Sequence, residues 1–390
     1  MPLVPLYAFS LLLHALLAWR MLPDLAAIAP VAAWAFGVWL AASALLMPMG
    51  MMALRFARAP LAQVLTWAGL LCMGMFSSLF VLMVLRELLL PLLHAAQWTG
   101  LLPAVPDLQA WRNMTALGLA PLALAMSTIG FWNARRTAAV VQVDVPIANL
   151  PAALEGFRIA QISDIHVGPT IKRRYLERIV ERVNTLNADL VAITGDLVDG
   201  SVHTLGPLVD SLQQLRSTHG SFFVTGNHEY YSGATSWVDK LRSLGITVLM
   251  NQHVVLEHGG LAAQAQSARV VVAGVTDYNA HHFDTSHQSS PEQALAGAPN
   301  GFRLLLAHQP RSADAAANAG YDLQLSGHTH GGQFWPWGYF VRFQQPFTAG
   351  LHRLRDLWIY TSRGTGYWGP PKRFGAASEI THLRLVRAIR

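Results

Sequence analysis

Cysteine is almost absent. Cys72 stands alone, so no disulfide can close within the chain, and because it lies in an apolar run it carries no information about redox compartment. Charge is also scarce: 13% of the 390 residues are Asp, Glu, Lys or Arg and 52% are apolar, against about 25% charged in a typical soluble domain. The deficit is local. From Met1 to Asn133 the charged residues are Arg20, Asp24, Arg55, Arg58, Arg86, Glu87, Asp107 and Arg112 and no others. Acidic residues are outnumbered, giving a formal net charge of +6, but seven of the 28 basic and three of the 22 acidic residues precede residue 137. The remainder is nearly balanced and lacks the basic footprint that a phosphate backbone requires, so no nucleic-acid polymer is expected as a partner.

What the first third has is long uncharged runs. A bilayer needs about 20 apolar residues per helix, and four stretches qualify: Leu3 to Trp19, Ala27 to Ala53, Leu61 to Leu85 and Met114 to Trp132. The first makes a poor cleaved signal peptide, because it lacks a basic start and further spans follow it. Residues 1–136 therefore read as a transmembrane helical domain and 137–390 as a separate α/β domain. Arg55, Arg58, Arg135 and Arg136 fall on one side of the membrane, and Arg20, Arg86 and Arg112 on the other. That bias places both termini and the C-terminal domain in the cytoplasm, as a multi-pass inner or plasma membrane protein. The stretch Leu88 to Pro106 reads as an extension of the third span plus an interfacial segment, interrupted by Pro91, Gly100 and Pro103. His14, inside an apolar span, reads as a buried structural histidine.

After Arg136 the composition changes. "VVQVDVPI" alternates as a strand does, and "FRIAQISDIHVG" is an apolar strand that ends in Asp164, His166 and Gly168. "IKRRYLERIVERVNTLN" sets Leu176, Ile179, Val180, Val183 and Leu186 on one helical face. "DLVAITGDLVDG", "GSFFVTGNHEYY", "ARVVVAGVTDYN", "FRLLLAHQP" and "YDLQLSGHTHGG" repeat the pattern of apolar strand followed at once by polar residues. Alternating strands and helices predict a largely parallel sheet, whose ligands gather at the carboxyl ends of the strands. Five strand ends carry metal-competent side chains: Asp164/His166, Asp196/Asp199, Asn227/His228, His308 and His328/His330. A bare GDxxD is as readily a turn as a site. In DxH and HTH the two residues, if extended, project to the same side and can serve one site.

The ordered set DxH, GDxxD, GNHE, H and GHTH resembles the calcineurin-like metallophosphoesterase superfamily. "LEGFRIAQISDIHVGP", "AHQP" and "SGHTHGGQ" are similar, more narrowly, to the bacterial membrane-associated YkuE/YaeI-like phosphoesterases, over roughly Val140 to Leu385. The resemblance implies a four-layer αββα sandwich and two divalent metal ions. It assigns Asp164, His166, Asp196 and His330 to one ion and Asp196, Asn227, His308 and His328 to the other, with Asp196 bridging. Carboxylate, imidazole and amide oxygen suit manganese, iron or zinc. The implied chemistry is attack on phosphorus by a hydroxide held between the ions, with His228 assisting the departing oxygen. Glu229 is either the partner that orients His228 or a carboxylate at a helix N-terminus, and Asp199 supports the loop without binding metal.

Two aromatic loops bear on substrate. "GGQFWPWGYFVRFQQPF" follows the last predicted ligands with Phe334, Trp335, Trp337, Tyr339, Phe340, Phe343 and Phe347, and "SRGTGYWGPPKRF" adds Tyr367, Trp368, Lys372 and Arg373. These rings either reach the bilayer interface or stack on a base, or the loops pack on the sandwich and on the membrane helices. His281, His282 and His287 read as solvated surface. The expectation is a membrane-anchored hydrolase of a lipid-linked phosphate, such as a phospholipid phosphodiester or the nucleotide-linked lipid UDP-diacylglucosamine that similar enzymes hydrolyse. The alternatives are a phosphodiesterase or phosphatase for soluble substrates held at the membrane by its helices, and a non-enzymatic metal-dependent sensor.

Overall fold

The computed structural model describes residues 3–101, 108–259 and 267–388. They form two compact units, Met1–Trp132 with Gly369–Phe374, and Asn133–Trp368 with Gly375–Arg390.

The first unit is built on helices α1 (Leu3–Ala26), α2 (Pro30–Phe56), α3 (Leu61–Trp98) and α4 (Leu108–Arg135). All four are long and apolar enough to cross a membrane, yet only 22–33% of each apolar window is buried within the protein. The remainder shows Leu12, Trp34, Val64 and Leu122 to the surroundings, a continuous apolar exterior that suits lipid and not water. α2 and α3 meet closely where both have glycine: a Cβ on Gly69 would lie 2.4 Å from the Leu46 carbonyl oxygen, the small-residue contact by which membrane helices pack. Pro91 does not interrupt the chain as its sequence context suggests. α3 runs through it to Trp98, so Leu88–Trp98 continues the same helix; Pro103 and Pro106 lie outside the described residues.

His14, Arg86 and Lys372, buried in this unit, are each paired. His14 is 3% exposed; its Nδ1 donates to the Ser10 carbonyl (2.8 Å), its Nε2 accepts from Ser43 Oγ (3.0 Å), and its ring stacks on Phe76. A histidine with both nitrogens satisfied is a packing residue. Arg86 bonds the carboxylates of Asp24 and Glu87, Thr115 Oγ1 and the carbonyls of Arg20 and Arg112. One guanidinium thereby ties α1, α3 and α4 together. Lys372 and Arg373 are buried in this unit; Lys372 Nζ donates to Gly74 O (2.7 Å), Ser78 Oγ (2.5 Å) and Ser127 Oγ (3.1 Å). They therefore belong to the helix packing and not to a substrate loop.

Among its described residues the second unit holds twelve strands: β1 (Ala139–Ile147), β2 (Arg158–Ile162), β3 (Leu190–Ile193), β4 (Ser221–Phe223), β5 (Thr247–Val248), β6 (Gln252–Gly259), β7 (Ser267–Gly274), β8 (Phe302–Leu306), β9 (Leu323–Ser326), β10 (Gly350–Leu354), β11 (Leu357–Thr361) and β12 (Glu379–Arg387). Its helices are α5 (Arg173–Asn184), α6 (Val202–Val209), α7 (Asn227–Ser232), α8 (Ala234–Ser243), α9 (Pro291–Ala294), α10 (Ala313–Ala319) and α11 (Gly338–Val341). The strands make two six-stranded sheets, ordered β1-β12-β2-β3-β4-β5 and β10-β11-β9-β8-β7-β6. β2 to β5 run parallel, as do β7, β8, β9 and β11, while β12 on β2, β6 on β7 and β10 on β11 are antiparallel.

Strand periodicity sorts the side chains into layers. In β3, Leu190 and Ala192 face the space between the sheets, and Val191 and Ile193 face the helices. In β8, Leu304 and Leu306 point between the sheets, while Leu305 packs with Ala313 and Ala316 of α10. Leu176, Ile179, Val180 and Val183 of α5 cover the first sheet with Leu205, Trp237 and Leu241. The layers are helix, sheet, sheet, helix, as the resemblance implies. With both faces of each sheet covered, apolar runs such as Leu190–Ile193 replace simple alternation.

Candidate metal centre

The carboxyl ends of β2, β3, β4, β8 and β9 are followed directly by Asp164/His166, Asp196/Asp199, Asn227/His228, His308 and His328/His330. The fold brings these groups together. Three sets of donor atoms each lie within 4.8 Å of one another: Asp164, His166 and His330; His166, Asp196 and His228; and Asp196, His308 and His328. His166 Nε2 and His330 Nε2 are 3.1 Å apart, and His308 Nε2 lies 3.2 Å from His328 Nδ1 and 3.1 Å from Asp196 Oδ2.

The backbone achieves this differently from the extended DxH and HTH of the sequence reading. The strands end at Ile162 and Ser326, and Asp164, His166, Asp196, His328 and His330 all take positive φ, from 50° to 69°. Such angles are uncommon for residues other than glycine and persist where surrounding bonds enforce them. Here Asp164 N donates to Gly195 O, His166 N to Asp196 O, and His328 N to the Asp164 carboxylate. Glycines leave the necessary room. A Cβ on Gly226 would sit 2.2 Å from Asp196 Oδ1, and one on Gly327 would sit 2.0 Å from Ser163 Oγ and 2.2 Å from Asp164 Oδ2. Gly327→Ala is therefore expected to displace Asp164 and weaken metal affinity about 10–100-fold, the scale of lost ligand support, as read by Mn²⁺ titration; affinity equal to wild type would contradict the close approach.

Three features fit a divalent cation. Asn227 Oδ1 is buried with no hydrogen-bond partner among the described residues, where buried polar atoms are normally satisfied. His166 Nδ1 faces a carboxylate oxygen of Asp199 (2.9 Å) and His308 Nδ1 faces the Thr194 carbonyl (2.7 Å). Both partners only accept, so each Nδ1 donates and each Nε2 is the ring atom turned toward the cluster. Finally, Asp164 is wholly buried and titrates above the usual carboxylate range, first from burial and then from nearby Asp196 in spite of the neighbouring imidazoles. Positive charge at this point would relieve both carboxylates. The donors suit a divalent ion and do not single one out.

Asp199 Oδ1 also accepts from His228 Nδ1 (2.6 Å), so one carboxylate orients two imidazoles. Burial opposes its charge, but His166 and His228 hold Asp199 down to about 2. Burial likewise works against the His228 imidazolium, yet the bond to Asp199 and the Asp196 carboxylate raise it to about 9. Glu229 is not the orienting partner. It accepts from the backbone N–H groups of Gly226 (2.7 Å), Asp196 (3.0 Å) and Leu197 (2.8 Å), tying the start of α7 to the Asp196 loop.

The aromatic loops divide. Phe347 packs on the core and Tyr367 is buried, whereas Trp337, Tyr339, Phe340, Phe343 and Trp368 are exposed. Tyr231 and Trp368 both lie edge-on to His228, with centroids 5.3 and 5.7 Å away. Tyr231 and Phe283 went unnoticed in the sequence, where only the adjacency of Tyr231 to GNHE points to the site. His282 is exposed and lies tilted against His281, with centroids 4.0 Å apart, while His287 Nδ1 bonds Tyr230 Oη.

The calcineurin-like phosphoesterase family profile matches residues 157–332. The chain is 39% identical over 303 residues to a bovine (Bos taurus) transmembrane protein with metallophosphoesterase domain, covering 72% of this chain and 68% of that one. It is 35% identical over 279 residues to an uncharacterised metallophosphoesterase of Campylobacter jejuni, covering 70% of each. With YkuE of Bacillus subtilis, an uncharacterised metallophosphoesterase, identity is 28% over 246 residues, 60% of this chain and 81% of that protein. The apolar helices and the transmembrane relative support membrane association. With that degree of identity across most of both chains, and with the donor clusters at the strand ends, the chain belongs to the calcineurin-like metallophosphoesterases and is a phosphoester hydrolase.

Proposed function

We propose that this chain is a membrane-anchored two-metal phosphoesterase that hydrolyses a phosphodiester of a lipid or nucleotide-linked lipid. The observation that carries the lipid reading is the exposed aromatic group Trp337, Tyr339, Phe340 and Phe343, on and beside α11 and shortly after His330, in a chain with four apolar helices. Asp164, His166, Asp196 and His330 would hold one cation, and Asp196, Asn227, His308 and His328 the other. Two bound cations supply charge that acidifies an attacking water and offsets the charge gathering on the phosphoryl oxygens. The protein's own groups do the rest. Asp199 accepts from Nδ1–H of the His228 imidazolium, so the Nε2–H, 4.0 Å from Asp196 Oδ2, is the proton that would pass to the departing oxygen.

Full-length protein in detergent with Mn²⁺ is expected to hydrolyse UDP-diacylglucosamine or phospholipid in mixed micelles in preference to a soluble aryl phosphodiester, and chelator should abolish the activity. Turnover of the soluble ester alone would reduce the helices to an anchor.

We propose that the catalytic unit lies on the cytoplasmic face. Arg55, Arg58, Arg135 and Arg136 share that side, whereas Arg20, Arg86 and Arg112 of the other side are engaged with Asp24 and Glu87. With Cys72→Ser as background, exposed Ser201→Cys is expected to react with a membrane-impermeant maleimide in inverted vesicles and not in intact cells. The reverse pattern would put the site outside.

A further inference from the structure

Two aromatic side chains from separate parts of the chain flank the imidazole proposed to face the leaving oxygen. Tyr231, on α7, meets His228 at 5.3 Å and 71°; Trp368, in the loop after β11, meets it at 5.7 Å and 75°. A ring beside a buried site would ordinarily be buried too. These are 64% and 54% exposed, so each touches His228 by part of its surface and leaves the rest uncovered. Both are supported from behind. The Gln333 side-chain amide brackets the Trp368 backbone, Nε2 donating to Trp368 O (2.8 Å) and Oε1 accepting from Trp368 N (2.8 Å). Gln333 itself is 7% exposed and held at φ 59°. Phe283 packs on Tyr231 at 5.5 Å. Fixed rings lose little freedom when something stacks on them, which is how aromatic platforms favour flat ligands.

We infer that Trp368 and Tyr231 form a specificity slot beside His228 that takes a flat, unsaturated ring on the leaving side of the substrate, an aryl group or a nucleobase. The slot is assigned to the leaving side because both rings flank the imidazole that is assigned to the departing oxygen. It rests on the phosphoesterase reading of the site and not on lipid as the substrate.

Binding tests this without turnover. Three methyl phosphonates, in which a P–CH₂ bond replaces the scissile ester, carry naphthylmethyl, octyl or ethyl groups. They are titrated calorimetrically into Mn²⁺-loaded full-length protein in detergent. Wild type is expected to bind the naphthylmethyl compound about tenfold tighter than either other. Trp368→Ala should erase most of that preference at unchanged metal content, Trp368→Phe should retain much of it, and Tyr231→Leu should reduce it. Equal affinity for octyl and naphthylmethyl, a preference that survives Trp368→Ala, or failure to bind any of the three overturns the slot. An intact ring preference without lipid hydrolysis overturns only the lipid reading.

Discussion

Asp196→Ala is expected to lose metal and turnover together. Asp196 is 2% exposed, and its Oδ2 lies 3.1 Å from His308 Nε2, 3.9 Å from His166 Nε2 and 4.0 Å from His228 Nε2. It is the carboxylate common to the clusters on either side, His166 with His228 and His308 with His328. Any other ligand can be removed and leave one half intact, but Asp196 cannot. Bound manganese should fall from two per chain to well below one, and hydrolysis by at least about 10³-fold, the scale on which a single electrostatic contact acts in a hydrolytic site. The metal-free protein should also melt lower than wild type at neutral pH, because in spite of burial His308, His228 and His166 hold the Asp196 carboxylate well below the usual range, and it also accepts from the His228 backbone N–H. The rise in Tm that Mn²⁺ gives to wild type, which reflects binding to the folded state alone, should disappear. Retained activity, or two ions still bound, would refute a shared bridging carboxylate.

The sequence read well where chemistry and order coincide. An apolar run followed at once by Asp164/His166, by Asp196 or by His328/His330 encodes both a buried parallel strand and the polar carboxyl end where the donor groups gather, so the layers and the place of the donor clusters are legible together. Local geometry was less so. Five of these residues adopt positive φ, enforced by bonds such as Asp164 N to Gly195 O and His328 N to the Asp164 carboxylate, with partners far along the chain. No local propensity signals that. Glu229 illustrates the same limit: its neighbour in sequence is His228, but its carboxylate closes on the backbone of Asp196 and Leu197 more than thirty residues away. Pro91 ends no helix because α3 continues through it. For the loop that holds Lys372 and Arg373 the sequence leaves packing on the membrane helices open as one alternative, and their burial depends on glycine at 74 and 130 leaving room in distant helices.

His228→Ala should have the opposite signature to Asp196→Ala, chemistry lost and metal kept. His228 occurs in one donor cluster, but its Nδ1 is committed to Asp199 at 2.6 Å and its Nε2 stands 4.0 Å from Asp196, farther than the 3.1 Å of His308. That separation suits a proton donor near the reacting groups better than a ligand. Loss of a positioned acid lowers turnover about 10²–10⁴-fold, with two ions still bound and KM little changed. The deficit should be smaller for esters whose leaving oxygen is already acidic, since such an oxygen departs without a proton. Asp199→Asn separates orientation from proton donation. An amide can still accept from one imidazole but no longer offers a charge to both His166 and His228, which share Asp199 Oδ1. It should slow turnover as His228→Ala does and, through His166, also weaken one metal site. Loss of metal from His228→Ala itself would make His228 a ligand, and leave the departing oxygen without an acid from this chain.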